Sequence, residues 1–183
     1  ITGANLKEGD ILIGLPSSGV HSNGYSLVRN VVSHCNADWN DSAPFSVDEN
    51  RIERFTEGDV TLGEVFLNPT RIYCDPVVDL IQDGPCDSSA IHAICHVTGG
   101  GLSNLLRLHD SLGWHISNPL PVLPEFDWIQ KIGNVTDYEM ARTFNMGMGL
   151  CVVVSSESAN SILSWLEESN ISGCAIVGHV NDN

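Results

Sequence analysis

The sequence predicts one α/β domain in which strands and helices alternate and pack as layers. Three observations carry this. Short apolar runs alternate with amphipathic runs along the chain. Two of the apolar runs open into small-residue loops that lead straight into a helical pattern. Finally, 183 residues with a hydrophobic fraction of 42% are enough to bury one substantial core.

The elements follow in order. Ile11 to Leu15 reads as a buried strand, and Gly24 to His34 as a helix with Tyr25, Leu27, Val28, Val31 and Val32 on its apolar face. Residues 36–59 are polar and aperiodic, which predicts an irregular excursion. Leu62 to Leu67 is a short helical turn, and Asn68-Pro69 is expected to start a longer helix through Ile81, bent or restarted at Pro76. Ala90 to Cys95 is a second strand, with Leu102 to Leu108 as the helix behind it.

Trp114 to Ser117 reads as a short strand, after which Pro119, Pro121 and Pro124 enforce an extended connector. Glu125 to Ile132 is a helix ended by Gly133-Asn134. Thr136-Asp137-Tyr138-Glu139 has the capping-box pattern, with Val135 and Met140 spaced as a hydrophobic staple, so another helix starts there. Leu150 to Val154 is a β-branched strand, Glu157 to Ser169 an amphipathic helix, and Ala175 to Val180 a closing strand.

Chemistry is concentrated in three segments. The first loop is Ser17-Ser18-Gly19-Val20-His21-Ser22-Asn23-Gly24, and the second is His96-Val97-Thr98-Gly99-Gly100-Gly101. A strand that ends in glycines and hydroxyls and then opens a helix leaves several backbone N–H groups aimed at one spot, with the positive end of the helix dipole behind them. Phosphate is the guest such loops suit best. In the first loop Ser22 or Asn23 is expected to cap the following helix, which leaves His21 as the group able to titrate near neutrality. In the second, three successive glycines are entropically costly unless a special backbone path is required. The plainer alternative is a tight turn beneath a closely packed helix.

The third segment runs from Glu139 through Arg142 and Asn145 to Gly149. Arg142 could clamp a phosphate or carboxylate at two points, and Asn145 could hydrogen-bond an amide or a ribose hydroxyl. The plainer alternative for Arg142 is a pair with Glu139, one helical turn away. His92 and His96 span a strand and its exit rather than a helix face, so no metal site is assigned.

Composition narrows the function classes. The formal net charge is −15, from 23 acidic and 8 basic residues, which argues against nucleic acid as a partner but not against a mononucleotide. No apolar run reaches the ~20 residues of a membrane span, and the start lacks a signal-peptide pattern, so a cytoplasmic location is expected. The six cysteines form no CxxC pair and are read as free thiols. No GxxxxGK[ST] loop, GxGxxG turn or Ser/His/Asp order is present.

With these three segments in order and Asn68-Pro69-Thr70-Arg71-Ile72-Tyr73 between them, nearly the whole chain resembles the C-terminal half of the phosphoribosylformylglycinamidine cyclo-ligases, also called aminoimidazole ribonucleotide synthetases. The resemblance implies a central mixed sheet with helices packed on it, and a single domain over 1–183 that is one half of a longer protein. In that family ATP activates the formyl oxygen of formylglycinamidine ribonucleotide and a nitrogen closes the imidazole ring.

The resemblance further implies that ATP and Mg²⁺ are bound mainly by an N-terminal domain, that the cleft lies between the halves, and that the enzyme is a homodimer. The resemblance places His21 in the family's motif, and His21 is the expected catalytic residue. With it Ser22, Asn23 and Gly24 are expected to border the reacting end of the substrate, Thr98, Gly99, Gly100 and Gly101 to hold a phosphate, and Arg142 with Asn145 to line the same cleft. Other members of the superfamily and a non-catalytic nucleotide- or partner-binding domain are the alternatives.

Overall fold

The computed structural model describes residue 1 and residues 3–169 and 171–182. Its central strand, β1 (Ile11–Pro16), lies between β4 (Met148–Val154) and β5 (Ala175–Asp182). Outside these, β2 (Ile91–His96) pairs with β4 and β3 (Leu112–Ile116) with β5. All four pairings are antiparallel, so the sheet is not mixed as the resemblance implied. The alternation of strands and helices is as expected. Strand direction, however, is set by where each connection returns, and both neighbours of β1 run against it.

The sheet is covered on both faces. Ile13, Leu15, Val152 and Val154 face Leu80 of α3 (Cys74–Asp83) and Ile162 and Leu166 of α6 (Ala159–Glu168). Leu12, Cys151, Val153, Val177 and Val180 form the other face, under Leu6, Leu120 and Leu105. Every residue of β4 is buried, which is why its sequence is a continuous apolar run rather than an alternation. A third cluster packs α1 (Tyr25–His34) and α2 (Leu62–Leu67) against α4 (Pro124–Gly133) and α5 (Asp137–Thr143) through Val28, Phe66, Phe126, Ile129 and Phe144.

Several local expectations change. Asn68 to Tyr73 is not helical; the helix begins at Cys74, which puts Pro76 in the first turn, where its missing N–H costs nothing. Tertiary bonds hold this segment out of a helix: the Asn68 side chain bonds Ser18, Arg51 and Glu53 backbone, and the Pro69 carbonyl accepts from Ser18 Oγ at 2.7 Å. Gly101–Arg107 is a 3₁₀ helix rather than an α-helix. There Gly101 presses on the Ala141 and Phe144 carbonyls, where a Cβ would not fit.

At Thr136 the cap itself forms, with Thr136 Oγ1 accepting from the Glu139 N–H. The full reciprocal capping box occurs instead at Thr61 and Glu64, where α2 starts. The Thr61 N–H first, and then those of Phe55 and Thr56, donate to Glu64 and hold its carboxyl well below the usual range. The irregular 36–59 segment is thereby pinned to α2.

Candidate functional site

The first loop leaves β1 and doubles back through two successive left-handed residues, His21 at φ 53 and Ser22 at φ 61. Such a pair is costly for non-glycine residues and persists only where surrounding bonds over-determine it. Those bonds are present. The backbone N–H of Ser18 donates to His21 Nε2 at 2.9 Å, and that of Arg71 reaches the same nitrogen at 3.4 Å. Asn145 Oδ1 accepts from Ser17 Oγ and the Gly147 N–H, while its Nδ2 donates to the Gly19 carbonyl at 2.8 Å. The Ser18 carbonyl accepts from Asn68 Nδ2 and Arg51 Nη1. Arg51 in turn pairs with the fully buried Glu125 at 2.6 Å.

His21 is only 3% exposed. Because backbone donors face its Nε2, the proton is assigned to Nδ1, which is buried without a partner. Burial, then the charges of His96 and Arg71, push its pKa down to about 4. The expectation that His21 titrates near neutrality is therefore corrected: the ring stays neutral there. The same burial, offset by Arg51, raises the Glu125 carboxyl.

The expected side-chain cap on α1 is also absent. Gly24, left-handed at φ 71, occupies the cap position without a side-chain bond, and a Cβ there would strike the Phe144 ring. Ser22 is exposed, and Asn23 turns its amide back to the His21 carbonyl at 2.9 Å.

The second loop meets the first at this point. The nearest atom to a Cβ placed on Gly99 is Asn23 Oδ1, at 3.6 Å. Within the loop the Thr98 N–H is taken by Asn104 Oδ1 at 2.8 Å and the Gly101 N–H by the Thr98 carbonyl at 2.9 Å. Gly99 and Gly100 make no N–H bond to the described residues, so the anion site expected over Thr98 to Gly101 narrows to these two groups. Gly100, at φ 110, requires glycine, whereas Gly99 does not adopt the left-handed region.

The third segment supports the loops more than it lines a cleft. Asn145 is 1% exposed, with both ends of its amide engaged. Arg142 is exposed and does not pair with Glu139. Its guanidinium lies 5.3 Å from the Tyr138 ring centroid. Its helix α5 packs on the Gly101–Arg107 turn, with the Ala141 carbonyl against Gly101.

The chain matches the family described as AIR synthase related protein, C-terminal domain, over residues 7–183. The chain belongs to that family. Among its curated relatives, the phosphoribosylformylglycinamidine cyclo-ligase of Methanocaldococcus jannaschii is 40% identical over 100% of this chain and 48% of its own length. The chloroplastic cyclo-ligase of Arabidopsis thaliana is 43% identical over 89% of this chain and 38% of its own. The chain thus spans about half the length or less of the curated relatives it matches. The hydrogenase maturation protein HypE of Escherichia coli superposes with a TM-score of 0.58 at 17% identity, covering 99% of this chain and 46% of that one, which shows a shared fold.

Sequence reasoning did not place Arg51, Asn68, Arg71, Tyr73 and Glu125 beside these loops. Asn68, Arg71 and Tyr73 lie in the Asn-Pro-Thr-Arg-Ile-Tyr run, whose signal was visible but whose role was not. Arg51 and Glu125 sit in otherwise ordinary polar surroundings, and nothing in one sequence pairs them. Among the described residues no group of three or more His, Cys, Asp or Glu is placed to hold a metal ion, and no helix is long and apolar enough to cross a membrane.

Proposed function

We propose that this chain is the substrate-holding C-terminal half of a cyclo-ligase that closes the imidazole ring of formylglycinamidine ribonucleotide, at the expense of ATP, in purine biosynthesis. The observation that carries the reading is the meeting of Asn23 with Gly99, which sets the Asn23 amide oxygen, next in sequence to the exposed Ser22, beside a loop with two unengaged backbone N–H groups. Such a constellation suits a phosphorylated ligand whose reacting end is polar. Identity to curated cyclo-ligases along the whole chain supports the choice of reaction.

In this reading Gly99 and Gly100 hold a phosphate by backbone donors, at little reorganisation cost, because the loop is already bonded through Thr98, Asn104 and Gly101. Ser22 and Asn23 border the reacting end. His21 is a positioning residue: its neutral ring holds Ser18 and, through it, the strained turn that presents Ser22. Gly24 and Asn145 fix the two ends of the loop, and Arg142 borders the same cleft from α5. ATP and Mg²⁺ are handled by the other half of the protein, which works as a cytoplasmic homodimer.

Gly99→Ala tests the reading cleanly. A Cβ fits there, with only an ordinary contact to Asn23, so stability should change by no more than about 0.5 kcal/mol. The methyl group would occupy the approach to the free N–H groups. Substrate-dependent phosphate release by the intact protein should then fall roughly a hundredfold. Wild-type turnover in a stable Gly99→Ala protein would refute the placement, and no ribonucleotide-dependent phosphate release by the unaltered protein would refute the function.

A further inference from the structure

A cavity of about 400 Å³ opens on the α3 face of the sheet beside β2. Ile94 of β2 and Leu150 of β4 form its floor, and Thr70, Arg71, Tyr73 and His96 stand around it. Its charge is unusual for this molecule. The chain carries 23 acidic residues against 8 basic ones, yet Arg71, half-buried, has no carboxylate partner among the described residues. Arg51 and Arg54 pair with glutamates, and the other basic residues without a carboxylate partner among the described residues, Lys7, Arg29, Arg107, Lys131 and Arg142, are all exposed.

The groups facing Arg71 are neutral or basic. The Tyr73 hydroxyl donates to the Pro16 carbonyl at 2.8 Å, and its pKa is raised by burial. The His96 ring lies 5.8 Å from that of Tyr73 and 6.5 Å from that of His21. His21 adds a buried Nδ1 with no partner. A guanidinium kept in a cleft without an internal anion costs solvation that nothing in the chain returns. An anion from outside would restore the balance, and the planar fork of arginine suits a phosphate at two points.

We propose that Arg71, with Thr70 and His96, forms a second anion site that takes the phosphomonoester of a phosphorylated sugar ligand, the sugar lying over Ile94 and Leu150. The identity of that ligand as the substrate rests on the proposed function; the existence of the anion site does not. Gly99 and Gly100 do not line this cavity, so in this assignment the ligand's own phosphate lies at Arg71 and the phosphate at the glycine loop is the group transferred to its reacting end.

The test uses ribose 5-phosphate, with unphosphorylated ribose as control, followed by amide and histidine NMR shifts in the protein that carries this chain. Ribose 5-phosphate should move His96 and residues 70–73, and ribose should not. Arg71→Gln should weaken binding roughly 10- to 100-fold and Arg71→Lys by less, since a lysine keeps the charge but not the fork. Both variants should keep the wild-type melting temperature. In turnover assays Arg71→Gln should raise KM for the ribonucleotide by a similar factor, with kcat and the KM for ATP little changed.

Shifts confined to Gly99 and Gly100, or Arg71→Gln binding as wild type, would overturn the site. So would an Arg71→Gln protein that binds the sugar phosphate normally but loses subunit association, since the cleft would then be a protein contact. Arg71-dependent binding in a protein with no cyclo-ligase turnover would leave the site standing and remove the proposed function.

Discussion

Lowering the pH from 7 to 4.5 should destabilise the fold through His21, and His21→Asn should abolish that part of the loss. In the folded protein the ring has its pKa pushed down to about 4, against 6.5 for an unrestrained histidine. Protonation would place a new N–H at Nε2, opposite the Ser18 N–H that now donates to it at 2.9 Å. Below pH 6.5 the unfolded chain therefore takes up a proton that the folded chain refuses. Stability falls with pH across this window and the loss levels off below about 4.

The full effect amounts to about 3 kcal/mol, of which about 2 should be expressed by pH 5. Asparagine tolerates the left-handed backbone and does not titrate, so it removes the proton linkage without forcing the turn open. Urea denaturation of both proteins at several pH values gives the difference, and other titrating groups cancel in the comparison. The Cε1 proton of His21 reports its titration directly. A His21 midpoint near 6.5, or parallel stability curves for the two proteins, would refute the argument.

Two further expectations concern the supports of the loop. Glu125→Ala leaves the Arg51 guanidinium without its buried partner and should cost about 3–5 kcal/mol, while replacing both with well-packed apolar residues should recover much of it; equal losses in the single and double variants, measured by denaturant midpoint, would count against the pair. At Gly149 an added Cβ would overlap the Tyr73 hydroxyl and the His21 ring. Gly149→Ala should therefore cost about 1–3 kcal/mol by thermal melting and shift the His21 resonances, and an unperturbed His21 spectrum would contradict the packing.

The order of elements could be read from one sequence because it depends on local pattern. The apolar run at 150–154, the amphipathic helices at 25–34 and 159–168, and the glycine loops each carry their own period or composition. The likeness to the cyclo-ligases could be read the same way, since its motifs are contiguous. Strand direction could not, because the alternation is the same whether a returning strand runs parallel or antiparallel to its neighbour. Nor could the end of the helical pattern at Asn68, which bonds to residues 15 to 50 positions away decide.

The site divides along the same line. Ser22, Asn23 and Gly99 are candidates because the composition of their loops is itself unusual. That His21 stays neutral, that Asn145 is a tie rather than a contact, and that Arg71 stands without a carboxylate among the described residues depend on partners distant in sequence. Burial and electrostatic potential are sums over everything that surrounds a group in space. A sequence holds the residues of that sum in order, and only the folded chain sets the distances between them.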